Sequence, residues 1–300
     1  SQYASHLLTS GEKLAAIELY RKANKATQSA KLLATMAQEV AVDKVKPLRA
    51  KRLYVLAALE VERHRKRTMD MSTMTATTAA GTTRKDTAAA TAATLETLLQ
   101  QDATSTGFGE SGAAARTMDN AWHGAEAMHF FMLAQRQLYA GNIDAAMKTS
   151  LRLANYEDVL DAKDIFSLIA LTSFYNEFYA QCSRAFIKLE SLESLTVKDC
   201  DVYRDLAVSI FSEHSPVDPG ARTYPCTNRD CKATINDWDT SCMACGAKYQ
   251  ACTITGRTIV DNSYIRCRAC RHKCYKSEIG DLAHCTLCHT PFPRAAAGER

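Results

Sequence analysis

GNIDAAMKTSLRL, residues 141–153, is the stretch that decides how most of this chain is read. Gly141 is followed by Ala146, Ser150 and Leu153, at offsets of 5, 9 and 12. GEKLAAIELYRKA, residues 11–23, keeps the same offsets with Gly11, Ala16, Tyr20 and Ala23. Ahead of Gly141, Phe130, Leu133 and Ala134 fill large, large and small places on a preceding helix. A third, weaker copy falls at Ala180, Ala185, Leu189 and Leu192, with 39 residues between Ala146 and Ala185.

Small residues at these places let two helices approach closely, which is the layout of a tetratricopeptide-like (TPR-like) helix pair. The spacing departs from the regular ~34 residues of that repeat, so the copies are degenerate. Apolar positions give the same class. Leu14, Ile17 and Ala23 with Tyr20 predict one apolar face, and Leu53, Leu56, Ala57 and Val61 another. Pro47 is the one proline in the first 215 residues, whereas Pro216, Pro219, Pro225, Pro291 and Pro293 all come later. Because proline is excluded from helix interiors, a helical region ending near PVDPG, 216–220, follows.

The expected organisation is helical hairpins over 1–69 and 119–215, a linker over 216–224, a metal-binding module over 225–293 and a disordered tail over 294–300. Residues 70–118 are rich in Thr, Ala, Ser and Gly and read as a mobile insertion, with TAAATAATLETLLQQ a possible short helix. RHRKR, 63–67, reads as the cationic end of the first helical block, complementing a helix dipole. No stretch has the ~20 apolar residues needed to span a bilayer. The first residues lack a signal-peptide layout, so nothing suggests export, and the initial Ser hints at a fragment.

The cysteines are concentrated. Ten of the twelve lie between Cys226 and Cys288, and only Cys182 and Cys200 precede them. In an unexported chain, paired cysteines point to metal rather than disulfides. Four pairs run in order, Cys226/Cys231, Cys242/Cys245, Cys267/Cys270 and Cys285/Cys288. Two knuckles complete a tetrahedron, so sequential pairing predicts two structural zinc sites of four thiolates each. The fold class is therefore mainly α, a TPR-like solenoid followed by a small zinc-ribbon-like β module. YQACTITGRTIVDN reads as a hairpin turning at Thr255-Gly256-Arg257. CTLCHTPFP, 285–293, also fits a c-type haem motif, but haem leaves Cys267 and Cys270 unexplained. Whether Cys252, Cys274, His272, His284 or His289 joins a metal site stays open.

Four thiolates close the zinc shell, and the chain has no H-E-x-x-H, H-x-E or Walker A pattern, so no enzyme is expected. Nucleic-acid binding is a rival for a zinc ribbon. From Arg222 to Pro293 there are ten Lys/Arg and six Asp/Glu, and two tetrathiolate centres at −2 each cancel that excess. Such a balance is poor for phosphate binding. A RING-like ubiquitin ligase, or another zinc-ribbon adaptor on a solenoid, is the second rival. A RING interleaves its two sites, whereas twenty-one residues part Cys245 from Cys267.

WHGAEAMHFFMLAQRQLYAGNIDAAMKTSLRLANYEDVL (122–160), CSRAFIKLESLE (182–193), ACTITGR (251–257), IRCRACRHKCYKSEI (265–279) and CTLCHTP (285–291) together carry a more specific likeness. They resemble, in order, the C-terminal region of the WD-repeat subunit family of intraflagellar transport complex A known as subunit 121. The resemblance implies a long subunit with β-propellers, a solenoid and a terminal zinc-binding domain. It implies a scaffold that assembles complex A for retrograde transport in the cilium or flagellum and for entry of membrane-protein cargo. Partners would be other complex A subunits and cargo or adaptors, at the cilium and its base and in the cytoplasm. The Thr/Ala-rich insertion is not part of the family pattern.

Overall fold

The computed structural model describes residues 2–78 and 120–292, with side chains over 3–70 and 120–292. The expected insertion beyond Thr78, its short helix and the tail over 294–300 lie outside the described residues. The chain divides into two compact units, residues 1–39 with 52–123 and residues 40–51 with 124–300. Among the described residues there are nine α-helices and two two-stranded antiparallel sheets.

The first helices are α1 (Gln2–Thr9), α2 (Lys13–Lys22), α3 (Ala26–Val42) and α4 (Pro47–Thr78). In the first unit Ile17, Leu33, Ala34 and Ala57 form a core against which Leu32, Met36 and Leu53 pack. The phase of α2 differs from the sequence reading. Ala16 and Ile17 are buried, while Leu14 is 67% exposed, and Leu56 likewise faces out of α4. A small residue at Ala16 lets the helices close in, and that contact sets the buried face.

The basic run also differs from expectation. α4 continues past residues 63–67 to Thr78, because no Pro or Gly interrupts the sequence there. The cations are held along the helix instead of capping it. Arg63 and Arg21 both lie 2.9 Å from the buried Glu60 carboxylate. Arg65 pairs with Glu62, and Arg67 donates to Asn24.

In the second unit, α5 (His123–Tyr139), α6 (Ile143–Leu153), α7 (Ala162–Tyr175), α8 (Tyr179–Glu190) and α9 (Val197–Glu213) follow. Ala134, Ala146 and Ser150 are buried where helices meet. The Ser150 and Thr172 hydroxyls are 2.8 Å apart, an approach that larger side chains would block. Asp161 caps α7 by accepting from the Lys163 N–H at 2.9 Å, and Thr196 caps α9.

The turns explain the repeat and correct its third copy. At Gly141 (φ +78°), the Asn142 N–H donates to Gln137 O and the Gly141 N–H to Leu138 O. This helix-ending pattern with a left-handed residue recurs at Gly11 in the first unit. The next instance is at Glu177 (φ +61°), where Phe178 donates to Ser173 O. Counting from Glu177, the offsets of 5, 9 and 12 fall on Cys182, Phe186 and Leu189, all buried. The third frame therefore starts three residues before the Ala180 expected from sequence, with Cys182 taking the small-residue place.

After α9 come β1 (Thr223–Pro225) and β2 (Thr234–Asn236), with Tyr224 opposite Ile235. Then β3 (Tyr264–Arg266) pairs with β4 (Lys273–Tyr275), with Ile265 opposite Cys274. The intervening segment is pinned to the helices, since Asp218 accepts from the Ala180 and Gln181 N–H groups at the start of α8. No helix among the described residues is long and apolar enough to cross a membrane.

Candidate metal centres

The three C-x-x-C turns are built by one backbone device. At Cys242 the N–H donates to the carbonyl five residues on, and the residue four on donates back to the Cys242 carbonyl. Cys267 and Cys285 repeat both bonds, at 2.8–3.0 Å. The returning residue is left-handed in each turn: Gly246 (φ +72°), Arg271 (φ +61°) and His289 (φ +60°). The device leaves the first and fourth side chains of C-x-x-C on one side of a tight loop. It also accounts for the haem-like CTLCH, because His289 fills the left-handed place, where histidine is more common than most residues.

The structure brings the thiols together in two groups, Cys226, Cys231, Cys242 and Cys245, and Cys267, Cys270, Cys285 and Cys288. Within each group the Sγ atoms all lie within 4.8 Å of one another. Cys226 to Cys245 is 3.5 Å and Cys231 to Cys242 is 3.8 Å. Cys267 to Cys288 is 3.6 Å and Cys270 to Cys285 is 3.7 Å. A disulfide would bring sulfurs to ~2.05 Å. A zinc ion with Zn–S of ~2.3 Å sets tetrahedron edges of ~3.8 Å, so the residues fit a tetrathiolate centre. The two groups are sequential rather than interleaved.

The two centres differ in setting. In the first, Cys245 is exposed and Cys231 half-buried. The Tyr249 hydroxyl lies 3.0 Å from Cys226 Sγ, and this contact, with backbone support at Asn228, lowers the Cys226 thiol to about 7. In the second, all four cysteines are buried. The Cys288 thiol is pushed down by hydrogen bonding to Cys270 and Cys285, with the Thr290 hydroxyl at 3.3 Å adding to it.

The residues left open on sequence fall outside both groups. Cys252 and Cys274 pack with Ile259 and Tyr275 in a small core, and burial raises the Cys274 thiol to about 11. His272 engages the Cys270 carbonyl through Nδ1 at 2.9 Å and Glu126 through Nε2 at 2.6 Å. His284 is exposed.

CTITGR, 252–257, has the same two backbone bonds, Cys252 N–H to Arg257 O and Gly256 N–H back to Cys252 O. Gly256 is left-handed at φ +79°. This is the turn expected at Thr255-Gly256-Arg257, and Ala251 bridges Thr258 across it. Thr255 stands where a second cysteine would, and the loop is used for contact instead. Gln137 Nε2 donates to Thr255 O at 3.0 Å, and Arg152, itself buried, donates to Gly256 O and to Thr258 Oγ1 at 2.7 Å. Thr258 in turn donates to Asp239 O, and Lys148 pairs with buried Asp237 at 3.2 Å. The module is thus seated on α5 and α6.

A second seat forms at the last knuckle. Lys51 Nζ donates to Thr286 O at 2.7 Å and lies 3.2 Å from His129 Nδ1 and 3.4 Å from His289 Nε2. His129 Nε2 lies 2.7 Å from Thr253 O and so carries the hydrogen there. Burial, reinforced by the Lys51 charge, lowers His129 to about 3, which keeps the ring neutral. The sequence reading singled out none of Lys51, His129, Gln137 or Arg152. Polar residues on amphipathic helices read as solvated, and only their spacing beside buried positions such as Ala50 and Phe130 would have flagged them.

Comparison with known proteins agrees with this architecture. The family described as IFT121-like, TPR repeats, matches residues 119–218. WD repeat-containing protein 35, TPR repeats, matches residues 1–63. IFT121, second zinc finger domain, matches residues 250–293. WD repeat-containing protein 35 of Rattus norvegicus and of Mus musculus are each 40% identical over 291 residues. The Homo sapiens protein is 40% identical over 292 residues. These alignments cover 97% of this chain and 22% of each relative, so the chain spans about a fifth of their length. With the helical repeats and the second finger both matched, the chain belongs to the IFT121 or WD repeat-containing protein 35 family.

Proposed function

We propose that this chain is a non-enzymatic scaffold segment of an intraflagellar transport complex A subunit. Its helical repeats and seated zinc module offer surfaces to other subunits of the complex. Through them it serves assembly, retrograde ciliary transport and entry of membrane-protein cargo, at the cilium or flagellum and its base. The observation that carries this reading is 40% identity to WD repeat-containing protein 35 through helices and zinc module alike.

Two structural zinc ions belong to the reading, one held by Cys226, Cys231, Cys242 and Cys245 and one by Cys267, Cys270, Cys285 and Cys288. Thiolate fits support it: sulfur separations of 3.5–3.8 Å match the tetrahedral edge. Four thiolates fill the shell, so the ion's part is to hold the module's loops together. Elemental analysis should give two zinc ions per chain.

The functional test is affinity purification of the segment from ciliated cells beside a Cys267→Ser/Cys285→Ser variant. Recovery of complex A subunits by the intact segment, with loss of some by the variant, supports the reading. Recovery of ubiquitin-conjugating enzymes or RNA in their place overturns it.

A further inference from the structure

We infer that Cys245 is a site of reversible oxidation by hydroperoxides, which join it to Cys226 as a disulfide and so open the first four-cysteine centre while the second stays closed. This rests on the zinc reading above.

The two centres are alike in geometry and unlike in access. Facing sulfurs stand 3.5 and 3.8 Å apart in the first and 3.6 and 3.7 Å apart in the second. Distance therefore does not separate them. Burial does. In the second centre Cys267, Cys270, Cys285 and Cys288 are only 2–8% exposed. In the first, Cys245 is exposed and Cys231 is half-buried. The knuckle around Cys245 leaves it bare, since Met243 is 97% exposed and Ala244 and Gly246 are exposed as well. Metal-holding cysteines are thiolates, the reactive form, and their oxidation follows access. Both centres hold such nucleophiles, and the first presents one to solvent.

The partner for a second step is already in place. Cys226 Sγ lies 3.5 Å from Cys245 Sγ, the closest of the four facing pairs. Cys226 is itself buried, so an oxidant meets Cys245 first. The Tyr249 hydroxyl accepts from the Thr227 N–H at 3.1 Å and gives its own hydrogen to Cys226 Sγ at 3.0 Å, which holds that sulfur in position.

The chemistry balances with the peroxide as the one oxidant. The Cys245 thiolate attacks a peroxide oxygen. The S–O bond forms, the O–O bond breaks, and the leaving alkoxide, or hydroxide from hydrogen peroxide, is protonated by water. Sulfur gives up two electrons and the peroxide takes them. The Cys226 thiolate then attacks the Cys245 sulfenic sulfur, the S–S bond forms, and hydroxide leaves to solvent. Cys231 and Cys242 alone remain, too few to close a four-ligand shell. A thiol reductant returns both thiolates by exchange. The second centre shares none of these cysteines.

The test uses the whole 300-residue chain, loaded with zinc and treated with hydrogen peroxide beside a chromogenic chelator, with disulfides mapped by peptide mass spectrometry. Zinc is counted before oxidant is added. If Cys226→Ser/Cys245→Ser then carries as much zinc as wild type, the first zinc site does not exist, and the present inference falls with it. If it carries one ion fewer, peroxide should release one of the two wild-type ions and leave a Cys226–Cys245 disulfide. Dithiothreitol with added zinc should restore the ion. Cys267→Ser/Cys285→Ser, which keeps only the first centre, should lose its ion to peroxide, and Cys226→Ser/Cys245→Ser should keep its own. Should either double variant fail to fold, the disulfide mapped in wild type still decides. Met243→Leu should release zinc as wild type does; retention of both ions there would assign the effect to methionine oxidation and overturn the inference. Release of both ions together, of neither, or of the second centre's alone overturns it while leaving the zinc reading intact. So does a disulfide between other cysteines, or a loss that dithiothreitol does not reverse.

Discussion

Replacing Gly256 by alanine tests the seat of the metal-free knuckle, and Gly246→Ala is its built-in control. Both glycines occupy the same place in the same turn, at φ +79° and +72°. A left-handed backbone costs a non-glycine residue about 1–2 kcal/mol at either site. A Cβ at Gly246 meets nothing within 4 Å. At Gly256 it runs into the Thr149 hydroxyl and lies 3.0 Å from Thr149 Cβ. Thr149 is fully buried and tied to Ala145 O and Gln137 Oε1, so it has little room to yield. Overpacking of this kind adds about 1–3 kcal/mol. Gly256→Ala should therefore cost about 2–5 kcal/mol and Gly246→Ala about 1–2 kcal/mol. The assay is urea denaturation of the zinc-loaded protein, followed by far-UV circular dichroism and by the fluorescence of Trp238, which sits 6.0 Å from Phe178. Adding Thr149→Ala should recover part of the Gly256→Ala loss, a coupling that Gly246→Ala should lack. Equal losses for the two glycines, or strict additivity with Thr149→Ala, would refute the packing of this knuckle against α6.

Other variants probe the remaining contacts. Cys274→Ala should leave two zinc ions per chain by elemental analysis, whereas Cys270→Ala should leave one; a lost ion in the former would return Cys274 to the ligand set. Arg152→Met strips the donors from Gly256 O and Thr258 Oγ1 and should destabilise by about 1–3 kcal/mol in thermal or urea melts. His129 gives a pH signature. Its folded value near 3 lies below the unfolded ~6.5, so the unfolded chain binds the extra proton as pH falls. Stability from this group is complete above pH ~6.5 and declines below it, by about 1 kcal/mol between pH 7 and 5.5. His129→Gln, which keeps a donor toward Thr253 O, should flatten that part of the profile relative to wild type. Identical slopes in the two proteins would show that His129 titrates normally.

The parts of this molecule legible from sequence are those written in one residue type at fixed spacing. Gly141, Ala146 and Ser150 mark a tight helical turn and a close helix contact because few side chains fit there. Paired cysteines mark the candidate metal centres because thiolates have few other uses at that spacing. The parts that were illegible are those where a different residue does the same job. Glu177 adopts the left-handed turn that glycine takes at 141, so the third repeat frame was placed three residues late. Thr255 replaces a cysteine in a knuckle otherwise built like its neighbours, so the sequence showed a hairpin without its kinship to the metal turns. Lys51, His129 and Arg152 are polar residues whose burial depends on a partner more than a hundred positions away, and no local pattern reports that. Leu14 and the RHRKR run fail for the converse reason, since their composition suggested a role that packing assigns elsewhere.

The 235-residue reach from Lys51 to Thr286 has a consequence for biosynthesis. Lys51 is made 235 residues before the carbonyl that receives it. Until the last knuckle is made, the helical body therefore carries an open socket lined by an ammonium, a histidine and the Arg152 guanidinium. A chain that terminates before Cys285 never fills it. Such a product has its helices but also a wet, charged cleft where a dry contact belongs, and limited proteolysis should nick it near the start of α4 while sparing the finished protein.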